Sequence, residues 1–278
     1  MNFILPAIIF TLITSISHAQ SLKGTVVDAT TKQPLPYATV IILGTKTGGI
    51  TEANGSFNIQ LQGVTGNDTV KFSYLGYQTQ SLLLTKVNSS EPLSVMLKPI
   101  NYNLPETKIT EKAKTVIVGE RDVSQRFTGW GDIKSSRGRA RGVLISPEDC
   151  NVRVKRFAIR INENSWDSVK FRLLMLSPEL QNGERKSLLH ENIFFTVAKT
   201  KNKWVTVDLS QYNIVLCDKF ILATEWVDAW GQPNPITSYL LTITLAGNET
   251  QRYSKEAWQE NGEFIKAKAP AMYLEVFK

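Results

Sequence analysis

Two acidic residues are spaced so that they could act together in glycoside hydrolysis. Glu225 and Asp228 straddle a predicted strand end, and glycosidases place two carboxyl groups on either side of the bond they cleave. Ordinary surface acids show the same spacing, and the chain has no Gly-x-Ser-x-Gly elbow. Its two histidines, His18 and His190, are too few for a zinc site or for a persuasive catalytic triad. The sequence therefore predicts no enzymatic activity, no catalytic residue, no metal and no cofactor.

The six tryptophans raise a second possibility, which is stacking against sugar rings. Trp130, Trp230 and Trp258 lie in predicted loops, and loops at the end of a sandwich are where binding residues gather. Asp228 could add a polar contact beside Trp230. Trp226 shares the parity of the apolar residues before it and is predicted in the core. The alternative for the loop tryptophans is a structural role, so Trp230, Trp258 and Asp228 are candidate glycan contacts only.

A basic segment covers residues 134–160, where eight lysines and arginines face two acidic residues. Alternation of arginine with small residues from Arg137 to Arg141 would place three guanidinium groups on one side of an extended chain. The segment could bind an anionic ligand, or it could be a solvated face with some arginines paired to carboxylates. No recognition helix or RNA-binding motif accompanies it, so nucleic acid is not an expected partner. The candidates for the anion patch are Arg137, Arg139, Arg141, Arg153, Lys155 and Arg156.

The two cysteines, Cys150 and Cys217, each precede a predicted strand. In an oxidising compartment they could form a disulfide. The alternative is two buried thiols that act as small apolar residues.

The elements that must position these residues begin with a targeting segment. Ile4 to Ile16 is a short apolar run, and Ser17-His18-Ala19 fits a signal peptidase site, although no Lys or Arg precedes the run. We expect residues 1–19 to be removed and the mature chain to be exported without a transmembrane span. The 278 residues carry 42% hydrophobic residues and a net charge of +7, which excludes collagen-like, coiled-coil and broadly disordered chains.

From residue 20 to residue 98 the pattern is short strands separated by turns. Ser56 to Leu61 alternates polar and apolar residues, as a half-buried strand does. Asn54-Gly55 predicts a hairpin turn. About seven strands and no helical pattern predict a Greek-key β-sandwich.

Four motifs in this region resemble the carboxypeptidase regulatory-like domain. They are Gly24-Thr25-Val26-Val27-Asp28, Pro34-Leu35-Pro36-Tyr37-Ala38-Thr39-Val40, Asn54-Gly55-Ser56-Phe57 and Phe72-Ser73-Tyr74-Leu75-Gly76-Tyr77. The resemblance implies a transthyretin-like fold without an active site. It also implies the envelope of a Gram-negative bacterium, because the domain stands at the N-terminus of many TonB-dependent receptors.

Residues 99–118 have the composition of a linker, and Leu104 to Thr110 within them reads as a spacer or an edge strand. Residues 119–278 are predicted to form a second all-β domain, a jelly-roll-type sandwich. A change of parity between Val154 and Phe157 predicts a β-bulge near Lys155. This half resembles an uncharacterised β-sandwich module of envelope proteins, from which no functional residue can be carried over.

Together these patterns predict an exported, non-enzymatic, two-domain protein that is periplasmic, associated with the outer membrane, or secreted. Its expected partner is an envelope protein bound through protein contacts, and the alternative is a cell-surface glycan. A hydrolase on the second domain is the third hypothesis. The sequence leaves the oligomeric state open.

Overall fold

β-strands are the dominant secondary structure of the part of the chain that the structure describes. The computed structural model describes residues 21–87, 91–100, 114–130, 136–231 and 241–278. The predicted all-β, sandwich-like architecture is confirmed. The expected signal peptide at residues 1–19 and the spacer from Leu104 to Thr110 lie outside the described residues.

Seven strands in residues 21–97 form two sheets, which we call the N-terminal sandwich. One sheet has the order β4-β1-β7 and the other β3-β2-β5-β6. Both sheets contribute alternate apolar residues to one core, where Val26, Val40 and Phe72 are fully buried. The strands are β1 Ser21–Asp28, β2 Thr39–Ile42, β3 Gly48–Ile50, β4 Ser56–Gln60, β5 Thr69–Ser73, β6 Gln80–Leu83 and β7 Leu93–Leu97, with a 3-10 turn at Leu84–Lys86.

The predicted Asn54-Gly55 turn forms, but it does not make a hairpin. The Gly55 amide donates to the carbonyl of Glu52 at 2.9 Å, and Gly55 has the positive φ of 76° that such a turn needs. However, β3 pairs with β2 and β4 pairs with β1, so the turn joins two different sheets. The local turn chemistry was sufficient to predict the reversal but not which strands pair.

The remaining eleven strands form one continuous sheet, which we call the large sheet. Its main path is β17-β16-β10-β15-β11-β18-β8, and an additional β11–β16 pairing closes a ring. The strands are β8 Thr115–Gly119, β9 Val123–Gly129, β10 Ala140–Ile145, β11 Val152–Gln181, β12 Glu184–Ser187, β13 Ile193–Asp208, β14 Val215–Leu216, β15 Phe220–Trp230, β16 Leu241–Lys255, β17 Glu263–Pro270 and β18 Met272–Phe277, with a 3-10 turn at Ser210–Tyr212. Because β8 pairs with β18, the sheet begins at Thr115, within the segment expected to be a linker.

Strand β11 is 30 residues long and, among the described residues, pairs with six other strands. Opposite β18 its register shifts between Val154 and Arg156, which confirms the predicted bulge near Lys155. The bulge lets Val152, Val154 and Phe157 all face the core despite their mixed parity.

Strand β15 is buried on both faces along most of its length. Phe220, Leu222 and Trp226 point into the main core, as predicted. Ile221 and Ala223 on the opposite face are also fully buried, in a second apolar cluster with Tyr253 of β16. The chain that covers the rest of this second face comes from the N-terminal sandwich, and that contact positions the candidate site.

Candidate functional site

The N-terminal sandwich packs directly on the outer face of the large sheet, and we call this contact the junction. Tyr37 and Ile50 of the sandwich form an apolar cluster with Val227 of β15 and Phe194 of β13. The rings of Tyr37 and Phe194 lie 5.5 Å apart. Burying the aromatic ring of Tyr37 removes a large apolar surface from water. Several residues predicted to do chemistry lie here.

Glu225 of the predicted carboxylate pair lies inside a buried group of charges. It is 1% exposed and accepts a hydrogen bond from Nε of Arg172 at 2.6 Å. Nζ of Lys255 lies 3.6 Å from its other carboxylate oxygen. Burial lowers the pKa of Lys255, while the charge of Glu225 opposes that effect. Glu225 therefore compensates two buried cations and is not presented to a substrate.

Asp228, the second acid of the pair, is also engaged at the junction. Its Oδ2 accepts a hydrogen bond from the Tyr37 hydroxyl at 2.9 Å, and its Oδ1 accepts one from the Ala229 amide at 2.9 Å. Burial, and then the hydrogen bond to Asp228, raise the pKa of Tyr37 well above its ordinary value. The phenol therefore stays neutral and donates across the junction. Asp228 is a link between the two parts of the chain.

Arg137, the first residue of the predicted anion patch, is a third link. Its guanidinium forms an ion pair with Glu52 of the sandwich at 2.5 Å and donates to the Thr51 carbonyl at 3.2 Å. Its Nε donates to the Val227 carbonyl at 3.0 Å. One side chain thus holds the backbone of both parts, which is a geometry suited to arginine's fixed fork of donors.

The sequence predicted that Arg137, Arg139 and Arg141 lie on one side of an extended chain, but this describes only Arg139 and Arg141. Gly138 has a φ of 80° and turns the chain, so Arg137 does not lie in an extended strand with the others. Arg139 and Arg141 share one partner, Glu256, at 2.5 and 3.6 Å. Burial lowers the pKa of Arg141, and Glu256 opposes that effect.

The other three basic candidates lie at the start of β11 with partners of their own. Arg153 contacts Asn213, Arg156 pairs with Glu275 at 3.1 Å, and Nζ of Lys155 lies 5.2 Å from the centre of the Phe277 ring. The six residues therefore do not converge on one anion site. The alternative reading, in which arginines pair with carboxylates elsewhere in the chain, describes four of them: Arg137, Arg139, Arg141 and Arg156.

Lys71 is a junction residue that the sequence did not single out. It is 6% exposed, and its ammonium pairs with Glu184 of β12 and with Glu260 in the turn between β16 and β17. Burial alone would lower the pKa of Lys71, but the hydrogen bonds to both glutamates outweigh that effect and raise it. Alternation in β5 correctly turns Lys71 away from the sandwich core. No local signal shows that this outer face is covered.

The tryptophans divide by burial. Trp230 is 42% exposed at the end of β15, and Nζ of Lys170 lies 5.3 Å from its ring centre. Trp258 is half-buried in the turn between β16 and β17. Trp130 lies outside a strand, as predicted, directly after β9, but it is 2% exposed and packs on Phe171 in the core, so it is not available to a ligand. Its indole donates to the Arg139 carbonyl at 3.2 Å.

The structure brings Cys150 and Cys217 together as a disulfide pair, with their Cα atoms 4.0 Å apart. The bridge closes a sequence separation of 67 residues and joins the loop before β11 to the loop before β15. Neither cysteine takes part in the junction contacts described above.

Beside the junction the two parts leave an open cleft of about 440 Å³. Its lining combines aromatic, apolar and cationic side chains from both parts, among them Tyr74, Tyr77, Arg172, Leu174, Leu176 and Lys186. A larger recess of about 640 Å³ lies between turns of the sandwich, lined mainly by glycine, threonine and amide residues. Of these two, the cleft is the better candidate site, because its lining combines charged with aromatic side chains and the lining of the recess does not.

Two further features are absent from the described part of the chain. No helix there is both long enough and apolar enough to cross a membrane. Within the same residues, no three His, Cys, Asp or Glu side chains are grouped so that they could hold a metal ion.

Comparison with known proteins identifies the N-terminal region. Residues 22–109 match the family model of the CarboxypepD_reg-like domain, and the chain contains such a domain. The match includes the motifs noted in the sequence and extends past residue 98. TonB-dependent receptor P3 of Formosa agariphila is 27% identical over an alignment of 137 residues that covers 46% of this chain. The chain matches only 13% of that receptor's length.

Proposed function

We propose that the chain is a non-enzymatic, exported envelope protein that works through contacts with other proteins. The CarboxypepD_reg-like domain and the similarity to an envelope receptor support a non-catalytic, envelope-associated module. The burial of Glu225 between two cations supports the same conclusion, because it removes one of the two candidate catalytic acids from solvent.

The observation that carries the proposal is a set of edge strands with exposed apolar side chains. Within the described residues, β8 pairs with β18 alone, and β9 and β17 each pair with β16 alone. Ile117, Val123 and Ile265 on these strands are 39%, 47% and 45% exposed. Unpaired backbone groups and apolar side chains on an edge are what a partner strand uses when it adds to a sheet.

Photo-crosslinking tests the proposal directly. A photoreactive amino acid replaces Ile117 or Ile265, and the matched control carries it at Lys23, which is exposed on the central strand β1. In cells of the organism that encodes the chain, we expect adducts of discrete mass from the two edge positions and none from Lys23. Equal adduct patterns at all three positions, or none at the edges, would overturn the proposal.

Glycan binding is the second candidate function, because Trp230 remains partly open to solvent. Sugar rings stack on exposed aromatic faces, and Lys170 beside the indole could donate to a hydroxyl group. Retention on insoluble polysaccharide or peptidoglycan that survives high salt and is lost in Trp230→Ala would favour this alternative. Equal retention of wild type and variant would exclude this tryptophan as the platform.

Export is part of the proposal and has its own measurement. The apolar run from Ile4 to Ile16 motivates removal of residues 1–19. Mass spectrometry of protein from the envelope fraction should give a mature N-terminus at Gln20 or Ser21. A chain that retains Met1 in the cytoplasmic fraction would contradict it.

A further inference from the structure

We propose that the cleft beside the junction binds an extended acidic peptide segment of a partner protein. The inference rests on the proposed function and names the chemistry of the partner. The cleft's volume of about 440 Å³ falls within the roughly 300–1,000 Å³ of typical ligand pockets.

Charge is the first argument. Arg185 and Lys186 line the cleft, and in the described part of the chain neither has a carboxylate partner. The guanidinium of Arg185 donates to the Pro178 and Gly262 carbonyls and lies 5.0 Å from the centre of the Phe264 ring, while its Nε is buried without a hydrogen-bond partner. The acid that lines the cleft, Glu184, is paired with Lys71. The cleft therefore carries excess positive charge and attracts a negatively charged ligand.

The floor of the cleft is the second argument. Leu174 and Leu176 are partly buried apolar side chains of β11 that line it together with Tyr74. The Tyr74 and Tyr77 rings lie 5.5 Å apart and tilted by 59°, and the Tyr77 hydroxyl is held by Asp28 at 2.7 Å. Side chains of an extended segment alternate between its two faces. A segment that alternates acidic and apolar residues would therefore place its apolar side chains on this floor and its acidic side chains near the cations.

The same lining argues against a sugar. Saccharide hydroxyl groups are bound by carboxylate and amide acceptors beside a flat aromatic face. In the cleft the carboxylate of Glu184 is already committed to Lys71, and Tyr74 and Tyr77 pack against each other rather than standing side by side. The side-chain amide of Asn192 is also engaged, because its Nδ2 donates to the Leu75 carbonyl at 3.3 Å and its Oδ1 accepts from Arg172 at 3.3 Å.

The probe is a capped, fluorescent pentapeptide that alternates glutamate with leucine, titrated with the full chain and followed by anisotropy. We expect saturable binding that weakens as salt rises, because exposed charges are screened. Lys186→Glu should weaken binding by about three- to tenfold, as expected for reversing one exposed charge. Lys23→Glu makes the same change of net charge outside the cleft and should stay within about twofold of wild type.

A second variant tests the space rather than the charge. Thr79 is exposed and lines the cleft, so Thr79→Trp fills it without disturbing the core. We expect at least a tenfold loss of peptide binding.

Absence of saturable binding to wild type, equal loss in Lys23→Glu, or equal binding of a lysine-leucine peptide would overturn the inference. Stronger competition by oligogalacturonate than by unlabelled peptide would assign the cleft to an acidic glycan instead. Edge-strand crosslinks that persist while the peptide fails to bind would refute the cleft and leave the proposed function standing.

Discussion

Replacing Glu225 with glutamine should destabilise the whole molecule. The amide has the same shape as the carboxylate and can still accept from Arg172, so the change removes charge and leaves the packing volume intact. Arg172 and Lys255 would then remain with side chains only 7% and 11% exposed and no counter-ion between them. An uncompensated buried cation is unfavourable because little water reaches it.

The expected loss is large on the scale of protein stability. Removing one partner of a buried ion pair costs about 3–5 kcal/mol. In a chain of this size about 1 kcal/mol lowers Tm by about 2–4 °C, so Glu225→Gln should lower Tm by roughly 6–20 °C. Arg172 also donates to the Tyr37 carbonyl at 3.0 Å, so the junction should loosen together with the large sheet.

Urea unfolding followed by tryptophan fluorescence and by near-UV circular dichroism measures the effect. The matched control is Glu184→Gln, whose side chain is 52% exposed and whose partner Lys71 keeps Glu260. It should cost less than about 1 kcal/mol. Adding Lys255→Met to Glu225→Gln should recover part of the loss, because one uncompensated cation is removed. A cost below about 1 kcal/mol for Glu225→Gln, or an equal cost for both single variants, would refute this account.

Three shorter predictions follow from other contacts. Reducing the Cys150–Cys217 bridge, which spans 67 residues, should lower the free energy of unfolding by about 2–4 kcal/mol. Alkylation of both cysteines in protein that has not been reduced would show that the bridge is absent and contradict this prediction. Burial, and then the hydrogen bond to Asp28, raise the pKa of Tyr77 from 10.0 to about 12. The free energy that the neutral phenol adds to folding should therefore be present below pH 10 and lost by pH 12. In unfolding curves measured across this alkaline range, Tyr77→Phe should lose less stability than wild type. Trp230→Ala should change stability by less than about 1 kcal/mol, since the side chain is 42% exposed; a larger thermal shift would mean that the indole has a structural role.

The strands could be predicted from the sequence because their patterns are local. Alternation identified the apolar face of β4, and the parity change between Val154 and Phe157 located the bulge in β11. The conformation of Asn54-Gly55 was predictable for the same reason. Pairing is not local, so the sequence did not show that this turn joins two sheets or that β8 belongs with β18.

The candidate site was harder to predict because its partners are far apart in the chain. Glu225, Asp228 and Arg137 were noticed as charged groups with possible chemistry. Their partners include Tyr37 and Glu52, which belong to a different part of the fold. One signal was present: Phe220 to Val227 is nearly all apolar, which is typical of a strand covered on both faces. The glutamate within that run is therefore expected to be buried and paired.

The junction also bears on how the two parts can act on a partner. Among the described residues, the charged contacts that cross it include Lys71 with two glutamates, Arg137 with Glu52, Arg172 with the Tyr37 carbonyl, and Asp228 with the Tyr37 hydroxyl. If the N-terminal sandwich and the large sheet moved relative to each other, these pairs would separate. The buried charges among them would then lose their partners, which is unfavourable in free energy. The cleft should therefore keep one shape before and after binding, so that a partner finds a preorganised surface and loses little free energy to reordering it.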